Sequence, residues 1–447
     1  MSADAAGGDV VTTIAALATA AGGGVGILRL SGPRAIPIAL SHMRGLGADV
    51  AVTSPRQLLV GVFHDGAGHD LDHGMAVVFP APRSMTGEDV AELHLHGGAL
   101  HLRRCLDVLY AAGARPAEPG EFLRRAFLHG QIDLTRAEAI ADLITAQTDR
   151  ALGQARAHLA GGLYARAMAA RAELITFRAE LEARIDFPDE DLPALDPAKL
   201  VARMRAEAAA LGALAGTYRT GHWVRDGARV VLAGPPNAGK SSLFNALCQA
   251  DRAIVTPIPG TTRDTLEETL DVHGIPVVLI DTAGLHATED PIETLGIART
   301  ERAVAGADLV LRLVPPGDAA PSPEGAGRAP ELVVYSKRDV WPQVPAGLAI
   351  SVATGEGLDE LLTAIADALG ARVSDEGLTI ARDRQRIALE AADEALTRAA
   401  DAVTRGEPPE LAAVDLQDTL DALAELVGLT SIEDVLDRLF ATFCIGK

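Results

Sequence analysis

The chain contains 447 residues, of which 48% are hydrophobic but only 3% are aromatic, and its formal net charge is −21. This length allows two to four domains, and an apolar content supplied mainly by alanine and leucine favours helices. The acidic balance argues against a protein that binds polyanions over its whole surface, so any contact with nucleic acid requires a local basic patch.

The first 120 residues have the pattern of a small α/β domain. Three stretches show the short apolar or alternating pattern of strands, and a fourth has apolar residues at helical spacing. We therefore predict an N-terminal α/β domain over residues 1–120. Its strands are predicted at residues 24–32, 74–80 and 90–98, and its helix at residues 99–112.

Long amphipathic helices are predicted at residues 121–221, and helices return at residues 371–447. Thr135 and Glu138 have the spacing of a capping box, in which two side chains accept hydrogen bonds from free N–H groups at the start of a helix. Asp196 precedes a proline and predicts the start of another helix. The two helical stretches together predict one helical domain, into which the residues between them are inserted.

The central residues, 222–370, alternate short apolar strands with helical stretches. This alternation is typical of a mostly parallel sheet with helices on both faces. Strands are predicted at residues 230–233, 277–280, 309–314 and 331–335. The predicted fold class of the whole chain is therefore α/β and α multidomain.

A glycine-rich loop follows the first strand of this central part. Gly234, Gly239, Lys240 and Ser241 complete the pattern G-x-x-x-x-G-K-[ST], in the strand–loop–helix context that this phosphate loop requires. Backbone N–H groups of such a loop surround phosphate oxygens, Lys240 adds a positive charge, and the Ser241 hydroxyl is a ligand for Mg²⁺. The predicted nucleotide-binding residues of this loop are Asn237, Ala238, Gly239, Lys240, Ser241 and Ser242.

Two later loops indicate that the nucleotide contains guanine. Asp339 lies in the stretch Ser336-Lys337-Arg338-Asp339, and a carboxylate there accepts the N1–H and N2–H of guanine, a pattern that adenine lacks. GTPases usually have Asn or Thr in place of Ser336, so we expect a weaker affinity for guanine. A backbone N–H on guanine O6 is expected from Ser351, Val352 and Ala353.

The hydrolytic residues are less clearly marked. Asp281 directly follows a strand and is placed to reach Mg²⁺ through water, and Thr282, Ala283 and Gly284 continue toward the γ-phosphate. The next residue is Leu285, which cannot orient water as the glutamine of Ras-type enzymes does. Another residue must do so, and the nearby carboxylates, each of which is alternatively a solvated surface charge, are Glu289, Asp290 and Glu293.

These motifs together resemble the MnmE (TrmE) family of tRNA-modifying GTPases. The resemblance includes the phosphate loop at residues 234–241, Gly-Thr-Thr-Arg-Asp at 260–264, Asp-Thr-Ala-Gly-Leu at 281–285 and the terminal Phe-Cys-Ile-Gly-Lys at 443–447. It extends over nearly the whole chain, through N-terminal blocks at residues 24–29, 86–90, 119–122 and 137–144.

The resemblance implies an N-terminal tetrahydrofolate-binding and dimerisation domain, a helical domain and an inserted Ras-like P-loop G domain. It implies a potassium-dependent GTPase that acts as a homodimer with the FAD protein MnmG, in a heterotetramer. Their expected reaction installs an aminomethyl or carboxymethylaminomethyl group at C5 of the wobble uridine of certain tRNAs. The implied cofactors are Mg²⁺, K⁺ and 5-formyl- or methylene-tetrahydrofolate as the source of the one-carbon unit.

The resemblance also assigns residues around the triphosphate. Thr262 matches the second protein ligand of Mg²⁺, beside Ser241, and Glu293 matches a catalytic glutamate that orients water. Thr256, Thr261 and Thr262 are expected to contact GTP. The implied K⁺ ligands, which would place a cation where negative charge develops in the transition state, are Asn237, Thr256, Ile258 and Thr261.

For a folate site, Arg29, Glu92 and Lys447 match family contacts. Arg29 and Lys447 are expected to pair with the glutamate tail of a folate, and Glu92 to accept hydrogen bonds from its pterin ring. Gln131 stands where the family has a lysine, so one positive charge is lost from this set. Without the resemblance, Arg29 and Glu92 are equally well explained as surface charges on a strand.

Several residues keep more than one interpretation. Cys444 has apolar neighbours and no nearby histidine, which favours a buried structural cysteine over a nucleophile. His94 and His96 share one face of a strand, where they are either a metal pair or ordinary strand residues. The best local basic pairs for tRNA are Arg103-Arg104 and Arg124-Arg125, each alternatively a solvated surface.

Two other function classes are consistent with the same GTPase motifs. One is a GTP-gated scaffold, such as a ribosome-assembly factor or a signalling switch. The other is a folate enzyme that uses GTP only to open and close. Folate bound to the N-terminal domain argues against the scaffold, whereas turnover of folate without a flavoprotein favours the folate enzyme.

The predicted location is the cytoplasm. The N-terminus lacks a basic region followed by an apolar core, and the apolar runs are too short to span a bilayer, so neither a signal peptide nor membrane contact is expected. Three widely separated cysteines form no disulfide framework and no zinc-binding spacing, which is typical of a reducing compartment.

Overall fold

In the computed structural model, the chain divides into two compact units, one of residues 1–138 and 427–447 and the other of residues 139–426. Among the residues described below, no helix is both long and apolar enough to cross a membrane. The structure describes residues 12–46, 55–186, 196–249, 267–281, 305–318, 329–343, 345–370, 377–430, 433–441, 443 and 445–446.

The first unit is built on a seven-stranded sheet with the order β3-β4-β5-β6-β2-β1-β7. Neighbouring strands are antiparallel except β1 and β7, which are parallel. The strands are β1 (Ile14–Leu17), β2 (Val25–Ser31), β3 (Met43–Arg44), β4 (Leu59–His64), β5 (Asp70–Phe79), β6 (Val90–His96) and β7 (Arg115–Pro116).

Two of its three helices, Ala35–Ser41 and Ala99–Ala111, cover one face of this sheet because alternate residues of its strands are apolar and face inward. Leu28 and Leu93 on the strands pack in one buried cluster with Leu102 and Leu109 of the long helix α2. The strands and the helix predicted for this part of the chain are therefore confirmed. Its helices are α1 (Ala35–Ser41), α2 (Ala99–Ala111) and α3 (Glu121–Leu128).

The last residues of the chain belong to the same unit. A terminal helix, Glu433–Phe440, places Phe440 against Phe443, with ring centroids 5.3 Å apart. Ile445 then forms an antiparallel bridge with Pro119. The C-terminal residues thus lie against residues that are more than 300 positions earlier in the chain.

The second unit contains a six-stranded sheet with the order β13-β12-β11-β8-β10-β9. All neighbouring strands are parallel except β9 and β10, so the predicted mostly parallel sheet is confirmed. The strands are β8 (Ala228–Ala233), β9 (Glu267–Val272), β10 (Ile275–Asp281), β11 (Leu309–Val314), β12 (Glu331–Tyr335) and β13 (Leu348–Ala349).

The helices after α3 are α4 (Leu134–Thr145), α5 (Asp149–Leu159), α6 (Gly162–Asp186), α7 (Pro197–Ala215), α8 (Tyr218–Asp226), α9 (Lys240–Gln249), α10 (Leu358–Ala368), α11 (Asp383–Arg405), α12 (Pro409–Val427) and the terminal helix of the first unit, α13 (Glu433–Phe440). Those of the second unit flank its sheet or form a helical bundle. In the bundle, α7 packs along α11, and Arg171 of α6 donates a hydrogen bond to the Leu420 carbonyl of α12 at 2.6 Å.

The cap predicted for α4 is wrong by two residues. The helix begins at Leu134, so Thr135 lies inside its first turn. Asp133 is the cap instead, because its Oδ1 accepts a hydrogen bond from the Arg136 N–H at 3.0 Å and another from the Thr135 hydroxyl. The predicted cap of α7 is confirmed, since Asp196 accepts hydrogen bonds from the N–H groups of the first turn.

Candidate functional site

The phosphate loop lies where the motif predicts, between the end of β8 and the start of α9. Its turn depends on two glycines with positive φ, Gly234 at 147° and Gly239 at 95°. A Cβ on Gly234 would lie 2.6 Å from the Leu313 carbonyl oxygen, so no larger residue fits there without displacing backbone. Asn237 also has a positive φ, 61°.

Lys240 is held against this loop and is only 9% exposed. Its Nζ donates to the carbonyl oxygens of Gly234 at 2.9 Å and Pro235 at 3.0 Å. Burial lowers the pKa of Lys240, and the nearby Asp281 carboxylate counteracts part of this shift. A buried ammonium of this kind gains most from an anion such as a terminal phosphate.

Asp281 ends β10 and pairs in register with Leu232 of β8, one strand away. Its side chain is 1% exposed. Because β8 and β10 are parallel, their carboxyl ends bring Asp281 and the phosphate loop to one edge of the sheet. Thr282, Ala283, Gly284 and Leu285 lie outside the described residues.

The predicted guanine-binding residues come together at the same edge, after β12 and β13. We call residues 336–341 the guanine loop. The Ser351 hydroxyl donates to Asp339 Oδ1 at 2.6 Å, and the Arg338 N–H donates to the Ile350 carbonyl at 2.9 Å. One carboxylate oxygen of Asp339 is thus held by the second loop. Because Asp339 is itself exposed, its other oxygen is available to a base.

Two residues of this region were not found from the sequence. Gly357 has a φ of 82°, and a Cβ there would lie 2.2 Å from the Ala349 oxygen, so a glycine is required where the loop of Ser351 passes close to β13 and leads into α10. Its only sequence signal is the pair of glycines at 355 and 357. Trp341 donates its indole N–H to the Ser336 carbonyl at 2.8 Å, and no motif marks it.

A second group of predicted residues lies on the sheet of the first unit. Arg29 of β2 faces Glu92 of β6, and its Nε lies 2.8 Å from Glu92 Oε1. Arg29 also donates to the Gly446 carbonyl at 3.2 Å and lies 5.8 Å from the ring centroid of Phe122. Terminal residues are thereby brought beside two charges in the middle of the sheet.

Comparison with protein families identifies the chain. A model described as the MnmE helical domain matches residues 134–444, and one described as the N-terminus of the GTP-binding protein TrmE matches residues 13–131. The chain belongs to the MnmE family. The family and the predicted class of enzyme, a GTP hydrolase, are thus confirmed.

Curated members of the MnmE family are similar over almost their full length. Proteins named tRNA modification GTPase MnmE from Akkermansia muciniphila and Symbiobacterium thermophilum are each 42% identical, over 98% and 97% of this chain and 100% and 99% of their own. That of Methylobacterium sp. strain 4-46 is 46% identical over 95% of this chain and 96% of its own.

One solved structure is similar to part of the chain. The G domain of the T. maritima FeoB iron transporter is 27% identical and covers 32% of this chain and 98% of its own, with a TM-score of 0.23. The family assignment comes from the family models and the curated MnmE proteins, and the fold from the sheet order described above.

Several residues that the MnmE resemblance assigns lie outside the described part of the chain. Glu293, the predicted catalytic residue, is among them, as is Lys447 of the predicted folate site. Cys444 is also outside it. The predicted Mg²⁺ and K⁺ ligands that also lie outside the described residues are Thr256, Ile258, Thr261 and Thr262.

Gln131 lies within the described residues, but its contacts are with other residues than those that Arg29 contacts. Its N–H donates to the Ala126 carbonyl at 2.8 Å, and its side chain lies against Gly87, where an added Cβ would be 3.2 Å from Nε2. The position at which this chain lacks the family's lysine is therefore in the loop that follows α3.

The histidine pair on β6 has separate partners. His94 Nε2 lies 3.4 Å from Glu92 Oε2, whereas His96 Nδ1 lies 2.7 Å from Asp72 Oδ1. Within the described ranges, no group of three or more His, Cys, Asp or Glu side chains is placed to hold a metal ion.

One of the basic pairs predicted for tRNA is wrong. Arg125 is 2% exposed and forms ion pairs with Glu88 and Glu121, each at 2.9 Å. Arg124 pairs with Asp437 at 3.3 Å. The two adjacent arginines form no surface patch, because α3 directs the Arg125 side chain into a buried network of ion pairs. Arg103 and Arg104 are both exposed on α2.

Proposed function

We propose that this protein hydrolyses GTP and that hydrolysis serves the modification of tRNA. The proposal is supported most directly by the guanine loop and the phosphate loop, which share one edge of a parallel sheet, with Asp339 set for guanine and Lys240 for phosphate. Curated relatives that cover nearly the whole chain are named tRNA modification GTPase MnmE. Mg²⁺ would be held by Ser241 at the start of α9, with Asp281 acting through water.

The finer reaction follows the family resemblance. With an MnmG flavoprotein, the protein installs an aminomethyl or carboxymethylaminomethyl group at C5 of the wobble uridine of certain tRNAs. A tetrahydrofolate bound near Arg29 and Glu92 supplies the carbon. The functional protein is a cytoplasmic homodimer whose G domain, residues 222–370, is inserted into the helical domain of residues 121–221 and 371–447.

For hydrolysis itself, K⁺ beside Asn237 stabilises the charge of the transition state and Glu293 orients water. Asn237 has a side-chain amide oxygen suited to a monovalent cation and lies in the turn of the phosphate loop, where its φ is 61°. Replacing K⁺ with Na⁺, or Glu293 with alanine, should stop hydrolysis and leave GDP affinity unchanged. Hydrolysis that persists under either change would contradict the corresponding role.

The function is tested by mass analysis of wobble uridines in cells that lack the protein. Wild-type protein should restore the modified nucleoside, and Lys240→Met should not, because it removes the cation of the phosphate loop. Lys199→Met is the matched control, since Lys199 is an exposed lysine on α7 that should be dispensable. An unchanged nucleoside profile in the cells without the protein would refute the role in tRNA modification.

A further inference from the structure

A tryptophan closes the guanine loop. The indole of Trp341 donates from Nε1 to the Ser336 carbonyl oxygen at 2.8 Å, so one side-chain hydrogen bond joins the last residue of the loop to the first. The same ring meets Tyr335 edge-on, with centroids 5.8 Å apart and planes at 87°. Tyr335 is the final residue of β12, so the indole also fixes the loop to the sheet.

The side chain of Ser336 makes no comparable connection. Ser336 is 4% exposed, and its hydroxyl has no hydrogen-bond partner among the residues that the structure describes. A buried hydroxyl without a partner does not hold neighbouring segments together. Its backbone is held instead, because the Ser336 N–H donates to the Val314 carbonyl at 3.0 Å and its carbonyl accepts from the indole.

The backbone between these two residues needs such support. Lys337 has φ 55° and ψ 45°, a left-handed conformation that residues with a Cβ adopt only when surrounding contacts impose it. This turn directs the chain so that Asp339 meets the Ser351 hydroxyl at 2.6 Å. A loosened turn would therefore misplace the carboxylate that recognises guanine.

We propose that Trp341 is the positioning residue of the guanine loop, and that its indole N–H supplies the side-chain bond that Ser336 does not make. Loss of the N–H leaves the Ser336 carbonyl without its partner, and Asp339 is then less well ordered before the nucleotide arrives. This inference rests on the proposed binding of GTP, because it concerns the same loop.

The test compares two substitutions in the full-length protein by calorimetric titration with GDP. Trp341→Phe keeps an aromatic ring against Tyr335 but lacks the donor, and it should raise the Kd for GDP about five- to tenfold, the effect of one lost hydrogen bond. Trp223→Phe makes the same change at an indole of α8, outside the guanine loop, and should leave the Kd within about twofold of the wild-type value. With GTP as substrate, Trp341→Phe should raise KM and leave kcat unchanged, whereas general damage to the fold would lower kcat.

A Kd of Trp341→Phe equal to that of the wild type would overturn the proposal. So would a loss in Trp223→Phe as large as that in Trp341→Phe, because the effect would then not depend on the bond to Ser336. A wild-type protein that binds no GDP would overturn both this inference and the proposed GTPase function, whereas normal wild-type binding leaves the variants to test the inference alone.

A second measurement does not alter the loop. The chain has two tryptophans, so Trp223→Phe leaves Trp341 as the only indole. Its hydrogen bond to Ser336 is already made without nucleotide, so its fluorescence anisotropy should be that of an immobilised indole before GDP is added and should change little on binding. An indole that becomes immobilised only when GDP binds would contradict the positioning role.

Discussion

At the scale of single residues, the nucleotide site depends on charges that are held out of water. Lys240 and Asp281 are both buried, and the lowered pKa of Lys240 reflects the cost of keeping its ammonium there. A Mg²⁺-bound triphosphate supplies opposite charge to both of these side chains. The residues of the phosphate loop could be predicted from one motif because they are close together in the sequence, whereas Asp281 was predicted from the strand that it follows.

Asp339 should determine which base is bound. In Asp339→Asn, an amide N–H replaces one carboxylate acceptor, so the pair of donors on guanine loses a partner and the O2 of xanthine gains one. We expect GTP affinity to fall about 100-fold and XTP affinity to rise, since charge-assisted bonds are lost. Competition between the two nucleotides measures the exchange, and a variant that still prefers GTP would show that Asp339 does not contact the base.

Trp341 and Gly357 show what the sequence does not reveal at this scale. The motif predicted Asp339 and Ser351 but not the residues that hold them, because an indole bond across six residues and a close approach to Ala349 depend on the tertiary structure. The departure at Ser336 was visible in the sequence, but its consequence for the loop was not.

At the scale of secondary structure, periodicity predicted the strands and most helices, whereas the first residue of α4 was misplaced. Asp133 and Thr135 are two residues apart, and either has an oxygen suitable for a cap. Only the register of the helix decides between them. That register follows from packing, since Leu134 is buried in the core of the first unit.

The cap of α4 gives a stability prediction. Asp133→Ala removes the acceptor of the Arg136 N–H and should lower the free energy of unfolding by about 1 kcal/mol, a typical value for a lost cap. Thr135→Val, which keeps the size of the residue, is the comparison, and it should have a smaller effect than Asp133→Ala. Midpoints of urea unfolding measure both, and a larger effect at Thr135 would restore the capping box predicted from the sequence.

The helix α8, which leads directly into β8, contains a pair that responds to pH. His222 Nδ1 lies 2.8 Å from Asp226 Oδ2, and this hydrogen bond raises the pKa of His222, although burial works against it. A histidine whose pKa is higher in the folded state stabilises the fold fully below its unfolded pKa of 6.5. That contribution disappears as the pH rises through the folded pKa.

His222→Gln should therefore destabilise the protein in acid but not in base. At about pH 5.5 we expect the free energy of unfolding to be lower by about 0.5 kcal/mol, as for other partly exposed pairs, and at about pH 8.5 we expect almost no difference. Urea midpoints of variant and wild type at the two pH values give the comparison. A deficit that is equal at both would mean that packing, not charge, accounts for the effect.

At the scale of the whole molecule, the first unit joins the two ends of the chain at Arg29. The guanidinium contacts Glu92 within the sheet and Gly446 near the C-terminus, which is 417 positions away. No periodicity or spacing connects such distant residues, so the sequence indicated this group only through a family resemblance. The contact geometry could come only from the structure.

The position of the C-terminus can be tested at Gly446. Its φ is 93°, and a Cβ there would lie 2.1 Å from the Leu17 carbonyl oxygen, so Gly446→Ala must displace the tail from Arg29. If this is the folate site, affinity for 5-formyl-tetrahydrofolate should fall about tenfold, since a hydrogen bond and its alignment are lost. Titration calorimetry measures it.

Gly22→Ala is the matched control for that substitution. Gly22 belongs to the same unit and has a similar φ of 97°, but no atom lies within 4 Å of an added Cβ. It shares the backbone strain without the collision, so its folate affinity should remain near that of the wild type. Equal folate affinities in the two variants would show that displacing the C-terminal residues does not affect folate binding.

The most direct test of the nucleotide site is the hydrolysis of GTP and ATP by the purified protein, measured side by side as phosphate release with Mg²⁺ and K⁺ present. Because we propose that Asp339, held by the Ser351 hydroxyl, binds guanine, we expect GTP to be hydrolysed and ATP to be left intact. Hydrolysis of ATP at the same rate as GTP would contradict a guanine-specific site.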